Sequence, residues 1–277
     1  MLDSKKLYER FPVRKTEGPK IGLELEYEGG LLCEGHPRGW EVIGDGSLRN
    51  GGLEFVSRGP KELSFVPTHL SNLIRFFKSQ KLSPQKSIRT STHVHINVAD
   101  KTLEEIDQAI FLWALVEPFV LEFMPEERVG NPFAVLYSVD FSWVDRYLES
   151  HRKDFSSCLG ERKYRSLSIE RTFDLGTLEA RILPAFLPEE FETLVGWIDF
   201  FVSLLRRGFE DYKTYENLLD SFFDKDTYKQ FFEELFGEVK EIWPFTGEEL
   251  SPRNVNGSFL YLLAVAKDEG INNEKDS

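Results

Sequence analysis

The stretch Thr92-His93-Val94-His95-Ile96-Asn97 decides how this chain is read. Its apolar residues fall at every second position, the period of a β-strand rather than a helix. In a strand His93, His95 and Asn97 share one face, while Val94, Ile96 and Val98 share the other. The chain has five histidines, and two of them stand on this single face. An apolar face is ordinary, whereas a face lined with imidazoles suits the holding of a ligand. Which ligand depends on the groups that neighbouring strands bring alongside.

Working outward, the same period recurs. Between Ile21 and Glu28, apolar Leu23, Leu25 and Tyr27 alternate with Glu24, Glu26 and Glu28. Trp40 to Ile43 reads as a short strand followed by a turn at Asp45-Gly46-Ser47, and Leu53-Glu54-Phe55-Val56-Ser57 as another. Thr177-Leu178-Glu179-Ala180-Arg181-Ile182 restores the alternation late in the chain. Between these lie helical patterns. One is expected from about Pro60 through Leu70, Leu73, Ile74 and Phe77, since proline suits a first helical turn. A second, Leu103 to Phe123, opens on the capping-box pair Thr102 and Glu105, and Pro118 is expected to kink or split it. A third opens at Pro188-Glu189-Glu190 and runs through Leu205, with Gly208 as its stop. The first 17 residues are charged and weakly patterned, and the region from about 125 to 165 has no clear period. Strands separated by helices in irregular order point to an α+β domain with one mostly antiparallel sheet.

Composition narrows the function classes. The chain of 277 residues is long enough for a substantial core, and its net charge of −13 argues against a nucleic-acid or membrane-surface partner. Cys33 and Cys158 make neither a disulfide framework nor a CxxC pair, which fits a reducing, cytoplasmic setting. No apolar run approaches the ~20 residues needed to cross a bilayer. A Gly-x₄-Gly-Lys-Ser/Thr phosphate loop is absent, and oligomeric state cannot be read from the sequence.

Taken singly, each polar strand face has a plain explanation. Glu24 and Glu26 fit a solvated edge, Glu54 a surface position, and Glu179 with Arg181 a surface ion pair. His93 and His95 could bind zinc, but zinc sites use three or four N/S ligands and the other histidines show no matching spacing. Jointly the faces say more. Four strands each carry an apolar side and a side bearing Glu, His or Arg. If they pair, the carboxylates repel one another, a cost that bound divalent cations remove. An oxygen-rich set with imidazole favours Mg²⁺ or Mn²⁺. Arg165 and Arg171, just upstream of the last strand, offer planar forks for phosphate oxygens.

These segments, in this order, resemble the amidoligase family of carboxylate–amine ligases within the glutamine synthetase-like superfamily. The resemblance rests on Gly22-Leu23-Glu24-Leu25-Glu26, Asp45-Gly46-Ser47-Leu48, Leu53 to Ser57, His93-Val94-His95 and Thr177 to Arg181. Arg128 and Asn131 also fall where the family places an Arg and an Asn. Where the family carries a Cys-Gly pair before the histidines, this chain has Ser91-Thr92, and Ser168 stands near the place of a family asparagine.

The resemblance implies a curved, mostly antiparallel sheet with helices on one face and a concave active face that takes ATP and two Mg²⁺ or Mn²⁺ ions. It implies Glu24, His93 and Glu179 as ligands of the ion on the ATP phosphates. Glu26 and Glu54, with Asp45 as a further candidate, would hold the second. His95, Arg165, Arg171 and Arg181 are implied as phosphate contacts, and Glu54, Arg165 and Arg181 as the catalytic set. The catalytic core is expected over residues 1–210, with 211–277 a helical extension packed on it and frayed from about 267. The implied activity is an ATP- and Mg²⁺-dependent ligase joining small-molecule or peptide carboxylates to amines through an acyl phosphate. A γ-glutamylcysteine ligase-like enzyme, a guanidino kinase, a metallohydrolase and a non-catalytic binding module are the alternatives.

Overall fold

A computed structural model of the protein describes residues 5–121, 123–129, 131–132, 134–136 and 164–210. The expected extension over 211–277 and most of the unpatterned stretch 125–165 lie outside them.

The alternating segments do form strands: β1 (Lys20–Tyr27), β2 (Trp40–Gly44), β3 (Leu53–Ser57), β5 (Thr92–Asn97) and β7 (Thr177–Ala180). Two short ones complete the set, β4 (Lys61–Glu62) and β6 (Leu167–Ser168). Among the described residues they make one open, seven-stranded antiparallel sheet in the order β2-β3-β1-β5-β7-β6, with β4 paired to the start of β1. The fold is α+β.

Helices α2 (Val66–Gln80), α3 (Leu103–Leu121) and α5 (Phe191–Glu210) pack on the apolar sheet face. Short α1 (Leu7–Arg10) and α4 (Glu126–Val129) are single turns. Thr102 and Glu105 cap α3 reciprocally, the Thr102 amide donating to Glu105 at 2.6 Å and the Glu105 amide to Thr102 Oγ1 at 3.1 Å.

Three expectations are corrected. α2 starts at Val66, not near Pro60, because Lys61–Glu62 is drawn into the sheet beside Lys20 and Ile21. Pro67 then supplies the first-turn proline. α3 runs unbroken across Pro118, and α5 continues past Gly208 to Glu210. Both helices lie against each other in the core, and tertiary burial outweighs local helix-breaking propensity.

The core explains why the face assignments hold. Leu23, Leu25, Phe55, Val94, Ile96, Leu178 and Ala180 are buried in one cluster with Leu73, Trp113, Ile198 and Phe201 of the helices. Full burial of each large apolar side chain contributes ~1.5–3 kcal/mol, so a one-residue register slip that turned the glutamates inward would forfeit many such terms. Tyr27 sits at the centre of an aromatic group, edge-on to Phe55 at 6.0 Å and Phe77 at 5.7 Å, and donates its hydroxyl to the Phe186 carbonyl.

At the β2 edge, Trp40 stacks on His69 of α2 at 4.3 Å between ring centroids and donates Nε1–H to the His69 carbonyl at 3.1 Å. Among the described residues His69 Nε2 is buried without a hydrogen-bond partner. Burial, helped by the positive charge of Lys61, lowers the His69 pKa from 6.5 to about 4. Between these values the unfolded chain binds a proton that the native ring refuses, so stability falls as pH drops through this window. We expect acidification from pH 6.5 to 4 to cost up to about 3 kcal/mol through this residue. Urea unfolding across that range should show a shallower pH slope in His69→Gln than in the wild type.

Candidate metal centre

Strand register brings the polar side chains together. In antiparallel pairs, residues directly opposite project to the same face. Glu26 of β1 stands opposite Glu54 of β3, and Glu24 opposite His93 of β5. His95 stands between Gly22 on one side and Glu179 of β7 on the other. Four strands therefore deliver four carboxylates and two imidazoles to one patch.

Gly22 matters for its missing side chain. A Cβ there would come within 3.2 Å of His95 Cβ. Without it, the His95 ring reaches Glu24, with Nε2 3.0 Å from Oε1, while Nδ1 lies 3.2 Å from Thr177 Oγ1. The other Glu24 oxygen meets His93 Nδ1 at 3.0 Å, and the same nitrogen lies 3.3 Å from Glu179 Oε1. Glu179 is also paired with Arg181. Glu26 Oε2 accepts both the backbone amide of Ser91 at 2.9 Å and its hydroxyl at 2.5 Å. Glu26, His93, His95 and Glu179 are all buried, and the Glu24 side chain, a quarter exposed, is the more open group.

Burial opposes the charge on Glu24, but hydrogen bonds from His93 and His95 together with their charges outweigh it, and its pKa lies far below the ordinary carboxylate range. Glu54 goes the other way. Burial, then the charges of Glu24 and Glu26, push it up to about 8, with Asp45 adding to the effect. For His95, burial works against the protonated form, yet the Glu24 hydrogen bond and the charges of Glu24 and Glu179 raise its pKa above the ordinary value. Environments that drive apart the pKa values of neighbouring groups are a recurring feature of functional sites.

Two overlapping groups of ligand atoms result: Glu24, Glu54 and His93, and Glu24, His95 and Glu179. Within each group the atoms lie within 4.8 Å of one another. A carboxylate common to both suits a pair of divalent ions held close together. Each group offers two oxygens and one nitrogen, which fits Mg²⁺ or Mn²⁺, with water or substrate completing the shell.

The remaining expected residues are dispersed. Arg181 stays beside the cluster, over the Tyr164 ring at 5.9 Å. Arg165 is buried with Nη1 3.4 Å from the Leu136 carbonyl. The exposed Arg171 lies on the 3₁₀ turn Glu170–Thr172, paired with Asp174 at 3.0 Å. Asp45 accepts the Ser47 amide at 2.7 Å as a turn former and reaches Glu54 through its charge. Arg128 donates to the carbonyls of Ile182 at 3.0 Å and Arg181 at 2.6 Å, fixing the chain that leaves β7.

A cavity of about 330 Å³ opens beside Glu24 and His95. Its walls include Val56, Pro60 and Leu175, with Arg14 and Lys20 as cations. Lys20 pairs with Glu62, whereas the Arg14 guanidinium has no partner among the described residues. Asn97 holds this wall in place by donating to the carbonyls of Thr16 at 3.2 Å and Gly18 at 3.0 Å.

Sequence reading missed Ser91, Thr177 and the wall around Arg14. The first two are common polar residues with no local signature, and the third is placed by long-range contacts. Ser91, His93 and Glu24 do have the spacing of a hydrolytic triad, with Ser91 Oγ 2.8 Å from Nε2. The Ser91 hydroxyl is buried, bound to Glu26, and does not line the cavity, so it is not presented as a nucleophile. No protein-family model and no curated protein matches the chain.

Glu54 generates a direct test. With a pKa of about 8 it holds a proton at pH 7 in the cation-free site, and a cation must displace that proton. We expect Mn²⁺ binding at pH 7 to release protons, close to one of them from Glu54, whose share falls toward zero above pH 9. Calorimetry in buffers of different ionisation enthalpy measures this release, and Glu54→Gln should remove the Glu54 share.

Proposed function

We propose that the protein is an ATP- and Mg²⁺-dependent carboxylate–amine ligase that forms an amide or isopeptide bond through an acyl phosphate. The observation that carries this reading is Glu24 shared between His93 and His95, with Glu54 and Glu179 completing two ligand groups beside a cavity. The reading includes a curved glutamine synthetase-like sheet whose concave side is the polar face.

The resemblance would put Glu24, His93 and Glu179 on one ion and Glu26 with Glu54 on the second. The ligand atoms that lie within 4.8 Å of one another instead group Glu54 with Glu24 and His93, and His95 with Glu24 and Glu179. When bound, these ions would neutralise phosphate charge and polarise the transferring group. A carboxylate resists amine attack because resonance and charge disfavour it. Its oxygen therefore first takes the γ-phosphoryl group of ATP, with ADP leaving. The amine nitrogen then attacks the acyl carbon, phosphate departs, and the amine loses a proton.

Such transfers depend chiefly on positioning and charge compensation. In this chain His95 faces the cavity and Arg181 stands on Glu179, so both are suited to meet phosphate oxygens as they arrive. The cavity between Arg14 and His95 is of a size to take the remainder of the nucleotide, its aliphatic walls against the base. Arg165 and Arg171 are less direct candidates, the first buried against Leu136 and the second turned toward Asp174. The acidic net charge of −13 disfavours a nucleic-acid substrate. Among the described residues no helix is long and apolar enough to cross a membrane.

Purified protein with ATP and Mg²⁺, offered mixed carboxylates and amines, should release ADP and phosphate only when both substrates are present. Glu24→Ala and Glu179→Ala should each lower that turnover by ~100-fold or more while circular dichroism stays unchanged. ATP consumption that never depends on an amine would end the ligase reading, and a phosphorylated guanidine product would replace it with a kinase.

A further inference from the structure

We infer that Ser91 is a positioning residue that selects which nitrogen of His93 faces the metal and which oxygen of Glu26 stays free. The inference rests on the metal reading of the site but not on ligase activity.

The hydrogen bonds carry it. Ser91 Oγ lies 2.8 Å from His93 Nε2 and 2.5 Å from Glu26 Oε2. A hydroxyl has one proton to donate and lone pairs to accept. Glu26, as a carboxylate, can only accept, so the Ser91 proton goes to Glu26 and the Ser91 lone pair is left for a proton on His93 Nε2. The chain of donors runs one way, from His93 Nε2–H to Ser91 Oγ–H to Glu26 Oε2. That leaves Nδ1 as the nitrogen facing Glu24 Oε2 at 3.0 Å and Glu179 Oε1 at 3.3 Å, donating toward them in the cation-free site. A cation entering between these oxygens would displace the Nδ1 proton, while the Nε2 proton stays donated to Ser91.

The same serine acts on Glu26 with two donors, its hydroxyl and its backbone amide at 2.9 Å, both on Oε2. Oε1 is thereby kept as the available oxygen. Ser91 thus ties His93, a member of the group with Glu24 and Glu54, to Glu26 on the same strand face. Its position supports this: it is 6% exposed, immediately precedes β5, and sits two residues from His93 on the same strand face. Outer partners of this kind fix tautomer and ring orientation, and their loss weakens metal binding by roughly 10- to 100-fold.

The experiment uses Mn²⁺ alone, without nucleotide, and follows the free-ion electron paramagnetic resonance signal. Ser91→Ala should bind Mn²⁺ roughly 10- to 100-fold more weakly than the wild type. Ser91→Thr, which keeps the hydroxyl, should recover most of that loss, and Ser91→Cys, similar in size but a poor donor, should not. In the Mg²⁺-loaded wild type, long-range ¹H–¹⁵N spectra should show the His93 proton on Nε2 and none on Nδ1, with His93→Gln providing the assignment. That measurement stands even where Ser91→Ala fails to fold. A proton on Nδ1 of the loaded protein, or equal Mn²⁺ affinity in folded Ser91→Ala, overturns the role of Ser91. A wild type that binds no Mn²⁺ overturns the metal centre with it. Absence of amine-dependent ADP release overturns only the ligase reading.

Discussion

Four carboxylates on one mostly buried sheet face repel one another, and the other features of the site compensate that repulsion. His93 and His95 place ring nitrogens on the two oxygens of Glu24. Arg181 pairs with Glu179, Ser91 gives two donors to Glu26, and among the described residues Glu54 is paired with no cationic side chain. The divergence of Glu24 and Glu54, one driven far down and the other up to about 8, is the electrostatic signature of this uneven compensation. Groups of like charge kept this close without full neutralisation are costly unless a ligand completes them.

The opposite sheet face supplies the stability that such a patch requires. Side chains of α2, α3 and α5 bury the apolar residues of β1, β3, β5 and β7 in one cluster, so each glutamate is fixed by a neighbour that faces the core. Leu23, Leu25 and Tyr27 anchor β1. With them seated, Glu24 and Glu26 have nowhere to go but the polar face. Gly22 leaves room beside His95, where a Cβ would come within 3.2 Å of the His95 Cβ.

Much of this was legible in the sequence because the relevant information is local. A period of two assigns Glu24, Glu26, Glu54, His93, His95 and Glu179 to polar faces without any knowledge of partners, and the capping box at Thr102 and Glu105 needs only four residues. What was not legible depends on pairing. The order of strands puts β5 between β1 and β7, and the pairing of β4 with β1 takes residues 61 and 62 out of a helix that proline chemistry had placed there. Arg165 and Arg171 read as phosphate forks from charge alone, and the contacts that place one beside the Leu136 carbonyl and the other beside Asp174 have no local signature. The cavity wall at Arg14 depends on Asn97, more than eighty residues away in the sequence, which no local pattern records.

The order of strands also bears on how the molecule assembles. Glu24 meets His93 and His95 across separations of 69 and 71 residues, and Glu179 joins them from still further along the chain. Contacts of such high order slow folding, because loop-closure entropy must be overcome before they contribute. A cation held by Glu24, His95 and Glu179 would cross-link β1, β5 and β7 in the native state alone. It would therefore act as a clasp on the finished sheet, slowing its opening and making the protein's resistance to unfolding rise with the logarithm of free metal concentration.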